Sequence, residues 1–259
     1  MTDINTEMLA RLKNNYFETF DIEAFAFDTR LSEDLNKDFF ALRPDLSGRV
    51  TGDFNLFNGT IVHPRKNRDD FTLLFNKEYV DKTVAKGTND WIGTFAHEIT
   101  HMVDYKAYLG LSGAEDYDEI RYSGKHKMFF FWTEFHARKN GYYFWQKQTG
   151  VEYNDIRLEV IKAQEYPFQK KYLLEKYKST ADDQKLMYYL CQFMGRLAVW
   201  EEAFPDFFDS VRIKAILEKF DGSLLNFYRF FHENRDIKTA VNKFSQLESE
   251  FDRSFKTSV

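Results

Sequence analysis

The spacing of apolar residues changes along the chain and divides it into regions of different predicted structure. Over residues 5–20, apolar residues recur at intervals of three and four, which predicts an amphipathic helix. Between residues 49 and 80 they come in short runs bounded by turn residues, which is typical of β-strands. Beyond residue 150 the helical spacing returns and continues to the end of the chain. The pattern therefore predicts an α+β protein with a mostly helical C-terminal half.

The strand-forming region contains one hairpin signal. Asn58-Gly59 lies between residues 53–57 and 60–62, and this dipeptide tolerates the positive φ angles of a tight turn. Residues 71–75 predict the next strand. Together these segments predict a small antiparallel or mixed sheet.

The segments on either side of this hairpin are less regular. Residues 22–27 predict a short strand. Residues 31–42 predict a helix that Arg43-Pro44 ends, because a residue that precedes proline disfavours helical geometry. Residues 63–68 are basic, and we interpret them as a solvated loop with His63 as a surface histidine.

Helical periodicity covers most of the chain beyond the strand-forming region. The predicted helices span residues 125–147, 154–178, 181–203, 206–219, 222–232 and 235–256. Their aromatic stripes predict a core, and Cys191 lies in one such apolar run as a small core residue. No internal repeat or low-complexity linker separates these helices from the rest. We expect residues 1–150 to form one part and residues 151–259 a helical part packed on it.

One helical segment carries reactive side chains as well as packing positions. It runs from capping residues near residue 88 to Gly110, and its apolar residues fall on one side: Ile92, Phe95, Ile99, Met102 and Val103. The other side carries His97 and His101, which read His-Glu-x-x-His together with Glu98. Histidines four apart on a helix can bind one metal ion together, and the glutamate can take a proton from a water on that ion.

A catalytic zinc site needs a third protein ligand besides two histidines. The sequence offers Asp104, the acidic residues 115–119, Glu134 and His136. Asp104 lies one turn after His101. It is better placed to hydrogen-bond the second nitrogen of a histidine than to reach the same ion.

Glu134 is the third ligand that we favour. Its neighbours on the predicted helix are apolar, because Phe130, Phe131 and Ala137 lie three or four positions away. An ionised carboxylate on an apolar face is costly unless it is paired or binds a metal. The alternative interpretation is a structural salt bridge to an arginine such as Arg138.

Composition and charge narrow the class of protein. Aromatic residues make up 18% of the chain, which excludes a disordered protein. A net charge of −5 provides no general basic surface for nucleic acid. The single cysteine excludes a disulfide framework and a thiolate zinc site. Residues 1–21 lack the apolar run of a signal peptide, and the longest apolar run is too short to span a bilayer, so we expect a cytoplasmic protein without a membrane partner.

These motifs resemble those of the zincin metallopeptidases, specifically the gluzincin type, which pair His-Glu-x-x-His on one helix with a glutamate on the next. The matching residues here are His97, Glu98, His101 and Glu134, with the small residue Ala137 three positions later. The order of short strands, motif helix and glutamate helix is similar to ImmA/IrrE-type peptidases. The motif helix is also similar to that of the anthrax lethal factor peptidase domain. The resemblance covers about residues 49–145 and does not extend to the C-terminal helices.

The resemblance implies a zincin-like core and a peptidase that binds one zinc ion and cleaves a protein or peptide, more as an endopeptidase than as an exopeptidase. It implies His97, His101 and Glu134 as the zinc ligands and Glu98 as the general base. The alternatives are a regulatory or binding protein that keeps the metal site without peptidase activity, and a metal hydrolase acting on a different bond.

The resemblance also raises expectations about the surroundings of the metal. Many relatives use a Tyr or His to stabilise the oxyanion, and we expect Tyr122 or His126 in this role, with Tyr105 as a weaker alternative. Residues 110–124 predict an irregular, mobile lid because they place acidic residues among Gly and Ser. The strand at residues 71–75 is the expected edge along which an extended substrate adds as a further strand.

Overall fold

A computed structural model of the protein describes residues 6–65 and 70–255. The helices and strands are α1 (Thr6–Phe20), β1 (Asp28–Ser32), α2 (Leu35–Leu42), β2 (Gly59–Val62), β3 (Thr72–Asn76), α3 (Lys77–Ala85), α4 (Trp91–Ser112), α5 (Tyr117–Tyr122), α6 (Lys127–Gln148), α7 (Asp155–Val160), α8 (Tyr166–Ser179), α9 (Asp183–Ala203), α10 (Ser210–Leu217), α11 (Leu224–Glu233), α12 (Ile237–Ala240) and α13 (Phe244–Phe255). A small sheet accompanied by many helices makes this an α+β protein, as predicted.

The three strands form one mixed sheet with β3 at its centre. β1 pairs with β3 in parallel, with Asp28 opposite Thr72, whereas β2 pairs with β3 antiparallel, with Gly59 opposite Phe75. The strand predicted at residues 71–75 is therefore present, but its predicted edge position is wrong. Both of its hydrogen-bonding edges are occupied, so β1 and β2 are the edge strands.

The predicted hairpin around Asn58-Gly59 is wrong, because the segment before it is not a strand. Phe54–Leu56 form a short 3-10 helix that starts at Asp53, whose carboxylate accepts a hydrogen bond from the Asn55 amide at 3.0 Å. Gly59 starts β2, which takes its partner from β3. The side-chain cap at Asp53 offers the backbone a local turn in place of strand pairing.

The elements before β2 begin later than predicted. Residues 22–27 are not a strand. Their apolar side chains pack on the main core instead, and β1 starts only at Asp28. α2 also starts later, because the Asp34 carboxylate caps its first turn. The helix ends before Arg43-Pro44, as predicted.

The segment between the two ligand helices is more regular than its composition predicts. α4 continues to its C-cap at Gly113, whose φ of 70° lies in the left-handed region that glycine favours. α5 follows, capped by the Asp116 carboxylate, and it buries Tyr117 and Ile120 on one side. The prediction of an irregular segment is therefore wrong for most of residues 110–124, because these two residues form a packing face.

His63 is buried, and the prediction of a surface histidine is wrong. Its side chain is 2% exposed, and its Nε2 lies 3.2 Å from a guanidinium nitrogen of Arg121. Arg43 donates a hydrogen bond to the His63 carbonyl at 2.9 Å. Of the predicted basic loop, Arg65 is exposed and pairs with Asp45, whereas residues 66–69 lie outside the described part of the chain.

The long helix α6 crosses both α4 and α9 at closely packed glycines. A Cβ added to Gly141 of α6 would lie 2.5 Å from the carbonyl oxygen of Gly93 and 3.1 Å from the Cβ of His97, both in α4. A Cβ added to Gly195 of α9 would lie 2.6 Å from the carbonyl oxygen of Phe135 in α6. Because these glycines lack side chains, α6 packs backbone to backbone against both neighbours.

The C-terminal helices agree with the predicted periodicity. Residues 154–178 form α7, a short π-helical segment at Ile161–Glu165 and α8, and α9 to α13 lie within or close to the predicted segments. Cys191 is buried in α9, as predicted. The main core includes residues of both predicted parts, from Leu12 in α1 to Phe251 in α13. Among the helices in the described ranges, none is both long and apolar enough to cross a bilayer.

Candidate metal centre

Three side chains from two helices converge on one point beneath an open cleft. α4 contributes His97 and His101, and α6 contributes Glu134. The Nε2 atoms of the two histidines lie 3.1 Å apart. Glu134 Oε1 lies 3.6 Å from His97 Nε2, and its Oε2 lies 3.4 Å from His101 Nε2. The close crossing at Gly93 and Gly141 places the two helices so that these three groups meet.

The spacing of these donor atoms fits a zinc ion. Zinc binds nitrogen and oxygen tetrahedrally at about 2.0–2.1 Å, which places neighbouring ligand atoms about 3.3 Å apart. The observed separations of 3.1, 3.4 and 3.6 Å lie around that value. Three protein ligands also leave a fourth position for water or substrate. The group can therefore bind a metal ion and keep one position open.

The charge states of these side chains also suit a cation. Burial by itself raises the pKa of Glu134, but the two histidines outweigh burial and lower that pKa to about 2. Burial lowers the pKa of His97 well below its ordinary value, although the Glu134 carboxylate acts in the opposite direction. Burial also acts to lower the pKa of His101, but the Glu134 carboxylate outweighs it and raises that pKa. A metal that binds here would therefore displace a proton from His101.

A chain of hydrogen bonds holds His101 in place. Thr133 donates its hydroxyl proton to Asp104 at 2.6 Å, so its oxygen accepts a hydrogen bond from His101 Nδ1 at 2.9 Å. This arrangement fixes the tautomer that directs the Nε2 lone pair toward the site. Asp104 thus acts on His101 through Thr133, where the sequence predicts a direct hydrogen bond. Thr133 directly precedes Glu134, and a polar residue at that position of a largely apolar segment was the available sequence signal for its role.

The other proposed third ligands have different partners. His136 donates from Nδ1 to Asp104 at 3.0 Å and accepts a hydrogen bond at Nε2 from Asn140 at 3.1 Å. In the acidic segment, Glu119 binds Lys125 at 3.1 Å. Neither residue belongs to the group formed by the two motif histidines and Glu134.

The alternative salt bridge between Glu134 and Arg138 does not form within the described part of the chain. The ion pairs of Glu134 are those with the two histidines, and Gln192 of α9 donates a hydrogen bond to Glu134 Oε1 at 2.9 Å. The carboxylate is 6% exposed in a largely apolar helix, as its sequence neighbours predict. Gln192 was not among the predicted site residues, because α9 carries no recognisable metal-ligand motif.

Glu98 lies at the cleft beside the start of β2. A Cβ placed on Gly59 would come within 3.5 Å of Glu98 Cγ, so a larger residue there would crowd the carboxylate. Burial raises the pKa of Glu98, and the nearby Glu134 acts in the same direction. No hydrogen bond or ion pair within the described residues engages the Glu98 carboxylate. The carboxylate is therefore free to accept a proton from a molecule in the cleft.

The structure does not bring Tyr122 or His126 to the three ligands. Tyr122 packs against the smaller core cluster between α2 and the sheet, with Arg121 over its ring at 5.9 Å. His126 precedes α6, and its Nδ1 lies 3.0 Å from the hydroxyl of Tyr108, about two helical turns beyond His101. Tyr105 is buried at 1% exposure. None of these side chains lines the cleft beside Glu98.

A different tyrosine, Tyr188 of α9, lies at the cleft. It lines the cleft together with His97 and Glu98, and its side chain is 37% exposed. The Glu134 carboxylate, followed by burial, raises the pKa of Tyr188 well above its ordinary value, so the phenol keeps its proton. The available sequence signal is a polar line on an otherwise apolar helix, since Tyr188, Gln192 and Arg196 are four residues apart.

The cleft above these residues is large and open, with a volume of about 720 Å³. One wall is the segment of residues 56–59, which leads into β2 and exposes Leu56 and Phe57. The opposite wall comes from α8 and α9 and carries exposed rings, such as Phe168 and Tyr172. Exposed apolar side chains therefore line both walls of the cleft.

Comparisons with family models, curated proteins and solved structures gave no match for this chain. Its function is therefore inferred from the geometry of the centre and from the motif that supplies it.

Proposed function

We propose that this protein is a zinc-dependent peptidase with a zincin-like core. One observation carries the proposal. Two histidines of a His-Glu-x-x-His helix and a glutamate of a second helix converge with zinc-compatible spacing, and the unengaged Glu98 carboxylate lies beside them at an open cleft. A zinc ion held there would act as a Lewis acid and lower the pKa of a water molecule to near neutrality.

The surrounding side chains have distinct roles in this mechanism. Glu98 removes the proton from the attacking water and then delivers it to the leaving amine. Its raised pKa supports this role, because an acid that transfers a proton in both directions works best near the operating pH. Tyr188, which keeps its phenolic proton, donates a hydrogen bond to the oxyanion that develops on the scissile carbonyl.

The position of β2 at the edge of the sheet supports the proposal of an extended substrate. β2 has β3 on one side only, and although its residues are buried, its first residue, Gly59, lines the cleft beside Glu98. A peptide that lies along this end of β2 would place its backbone close to the general base. A cleft open at its surface admits a chain that continues in both directions, which favours an endopeptidase.

The open cleft also bears on the alternative of a binding protein that keeps the metal only for structure. A structural zinc site is closed by four protein ligands, whereas this group offers three. The free Glu98 carboxylate has no role in a closed site. Hydrolysis is therefore the better-supported function.

The test compares the purified wild-type chain with Glu98→Gln. Elemental analysis should find about one zinc per chain in both proteins, since Glu98 is not a ligand. A library of fluorescence-quenched peptides should be cleaved by the wild type and not by Glu98→Gln. Glu78→Gln, on the exposed side of α3, serves as a matched control and should cleave normally. Undiminished cleavage by Glu98→Gln would contradict the role of this glutamate.

A further inference from the structure

Two arginines line the cleft without a partner for their charge. Arg138 lies on α6, four residues after Glu134, and Arg196 lies on α9. Within the described residues, neither guanidinium forms an ion pair, and the buried Nε of Arg138 has no hydrogen-bond partner. Arg196 is held by stacking, with its guanidinium carbon 5.1 Å from the centre of the Tyr142 ring.

The crossing of α6 and α9 places these two arginines next to each other. A Cβ on Gly195 would lie 3.0 Å from the Cβ of Arg138, so the helices meet at this position, one residue before Arg196. Burial, followed by the positive charge of Arg138, lowers the pKa of Arg196 to about 10. Two adjacent like charges in a partly buried place are unfavourable unless an anion joins them.

The carboxylates around the cleft do not supply this anion. Glu165 is bound by Arg157 at 2.6 Å and accepts a hydrogen bond from Tyr142. Glu134 is engaged by the two histidines and Gln192. Asp90 lies exposed at the start of α4, and Glu98 lines the cleft, but within the described residues neither forms an ion pair with either arginine. The positive charge is therefore available to a molecule that enters the cleft.

We propose that Arg138 and Arg196 form an anion subsite that binds a carboxylate of the substrate peptide. The inference rests on the proposed function and specifies its substrate class as peptides with an acidic group near the cleaved bond. Guanidinium groups present paired N–H donors that match the two oxygens of a carboxylate. The carboxylate comes either from an Asp or Glu side chain or from the C-terminus of the peptide.

The test measures binding, so that it does not depend on cleavage. Three pools of N-acetylated nonapeptides, randomised over uncharged residues, are passed over the immobilised full-length Glu98→Gln protein. The first pool has a central Glu and an amidated C-terminus, the second has Gln in place of Glu, and the third has the Gln with a free C-terminal carboxylate. Retained peptides are quantified by mass spectrometry. We expect the first or the third pool to be retained at least about tenfold more than the second.

The pool that is retained identifies the source of the carboxylate. Preference for the first pool indicates an acidic side chain, and preference for the third indicates a C-terminal carboxylate. Equal retention of all three pools would overturn the proposal. This comparison uses no arginine variant, so it holds even if a substitution in the cleft disturbs folding.

Variants then assign the preference to the two arginines. Arg138→Gln and Arg196→Gln should each reduce it toward unity, whereas Arg196→Lys, which keeps the charge, should retain part of it. Arg212→Gln is the matched control, because Arg212 also stacks on an aromatic ring, Phe207, but lies outside the cleft. A full preference in both Gln variants would overturn the proposal.

The two proposals fail in different ways. Cleavage of peptides by the wild type together with equal retention of the pools contradicts the anion subsite alone. A carboxylate preference in a protein that cleaves no peptide contradicts the peptidase alone and leaves the subsite standing.

Discussion

α4 and α9 both cross α6 at closely packed glycines, but they contribute different groups to the candidate site. Both approach α6 at glycines, α4 through Gly93 and α9 through Gly195. α4 contributes the metal ligands, and the His101 imidazole is fixed by hydrogen bonds through Thr133. α9 contributes polar groups along one line, and its Arg196 has no partner for its charge.

The comparison distinguishes groups that position a metal ion from groups that are available to recognise a substrate. On the α4 side, His101 is held by hydrogen bonds through Thr133 to Asp104, which suits a site that must hold an ion at fixed distances. Groups on the α9 side face the cleft, where a substrate can provide the missing partner. Changes to the three ligands or to Thr133 should therefore act on metal affinity, whereas changes to Glu98 or to the groups of α9 that line the cleft should act on turnover and specificity.

The largest effect is expected for Glu134→Ala. The substitution removes a ligand and its charge, so zinc affinity should fall by more than about a hundredfold, and activity should be lost with it. The stabilisation by added zinc should disappear as well, because only a complete site couples binding to folding. Competition with a zinc chelator and thermal unfolding with and without zinc measure both effects. Glu119→Ala is the control, and unchanged zinc affinity in Glu134→Ala would shift the ligand assignment to the acidic segment.

The next largest effect is expected for Tyr188→Phe, on the α9 side. Loss of the hydrogen bond to the oxyanion should lower kcat by about a hundredfold, while zinc content stays near one per chain. Steady-state kinetics and elemental analysis measure the two quantities on the same preparation. Tyr189→Phe removes the neighbouring hydroxyl in the same cleft and should leave kcat nearly unchanged. A loss of zinc in Tyr188→Phe would contradict the proposal that Tyr188 acts on turnover and not on metal binding.

The smallest effect is expected for Thr133→Val, which leaves all three ligands in place. His101 would lose the oxygen that orients its ring, so zinc affinity should fall by roughly tenfold. Thr100→Val is the matched control, because Thr100 is also a buried threonine, but it bonds Tyr16 away from the site. Chelator competition on both variants gives the comparison. Equal affinities would mean that Thr133 does not position the histidine.

The regular spacing of apolar residues predicted most helices correctly, including α1, α4, α6 and α9. It failed where capping side chains decide the local structure, as at Asp53, where a short helix forms in place of a strand, and at Asp116, which starts α5. It also failed for the partner of β2, because strand pairing depends on residues distant in the sequence. His63 has a polar sequence context, and its burial comes from tertiary contacts, with the rings of Tyr105 and Phe71 and with Arg43 and Arg121.

The sequence by itself determined the motif at the centre. A helix places residues four apart on one side, so His97 and His101 had to face the same point, and the apolar neighbours of Glu134 required a compensating partner for its carboxylate. Only the tertiary structure decided what surrounds them. Tyr188, Gln192 and Arg196 lie in a helix without a motif and reach the cleft because Gly195 lets α9 pack directly on α6. Local periodicity fixes which side chains share a face of a helix, but the contacts between helices determine which faces meet.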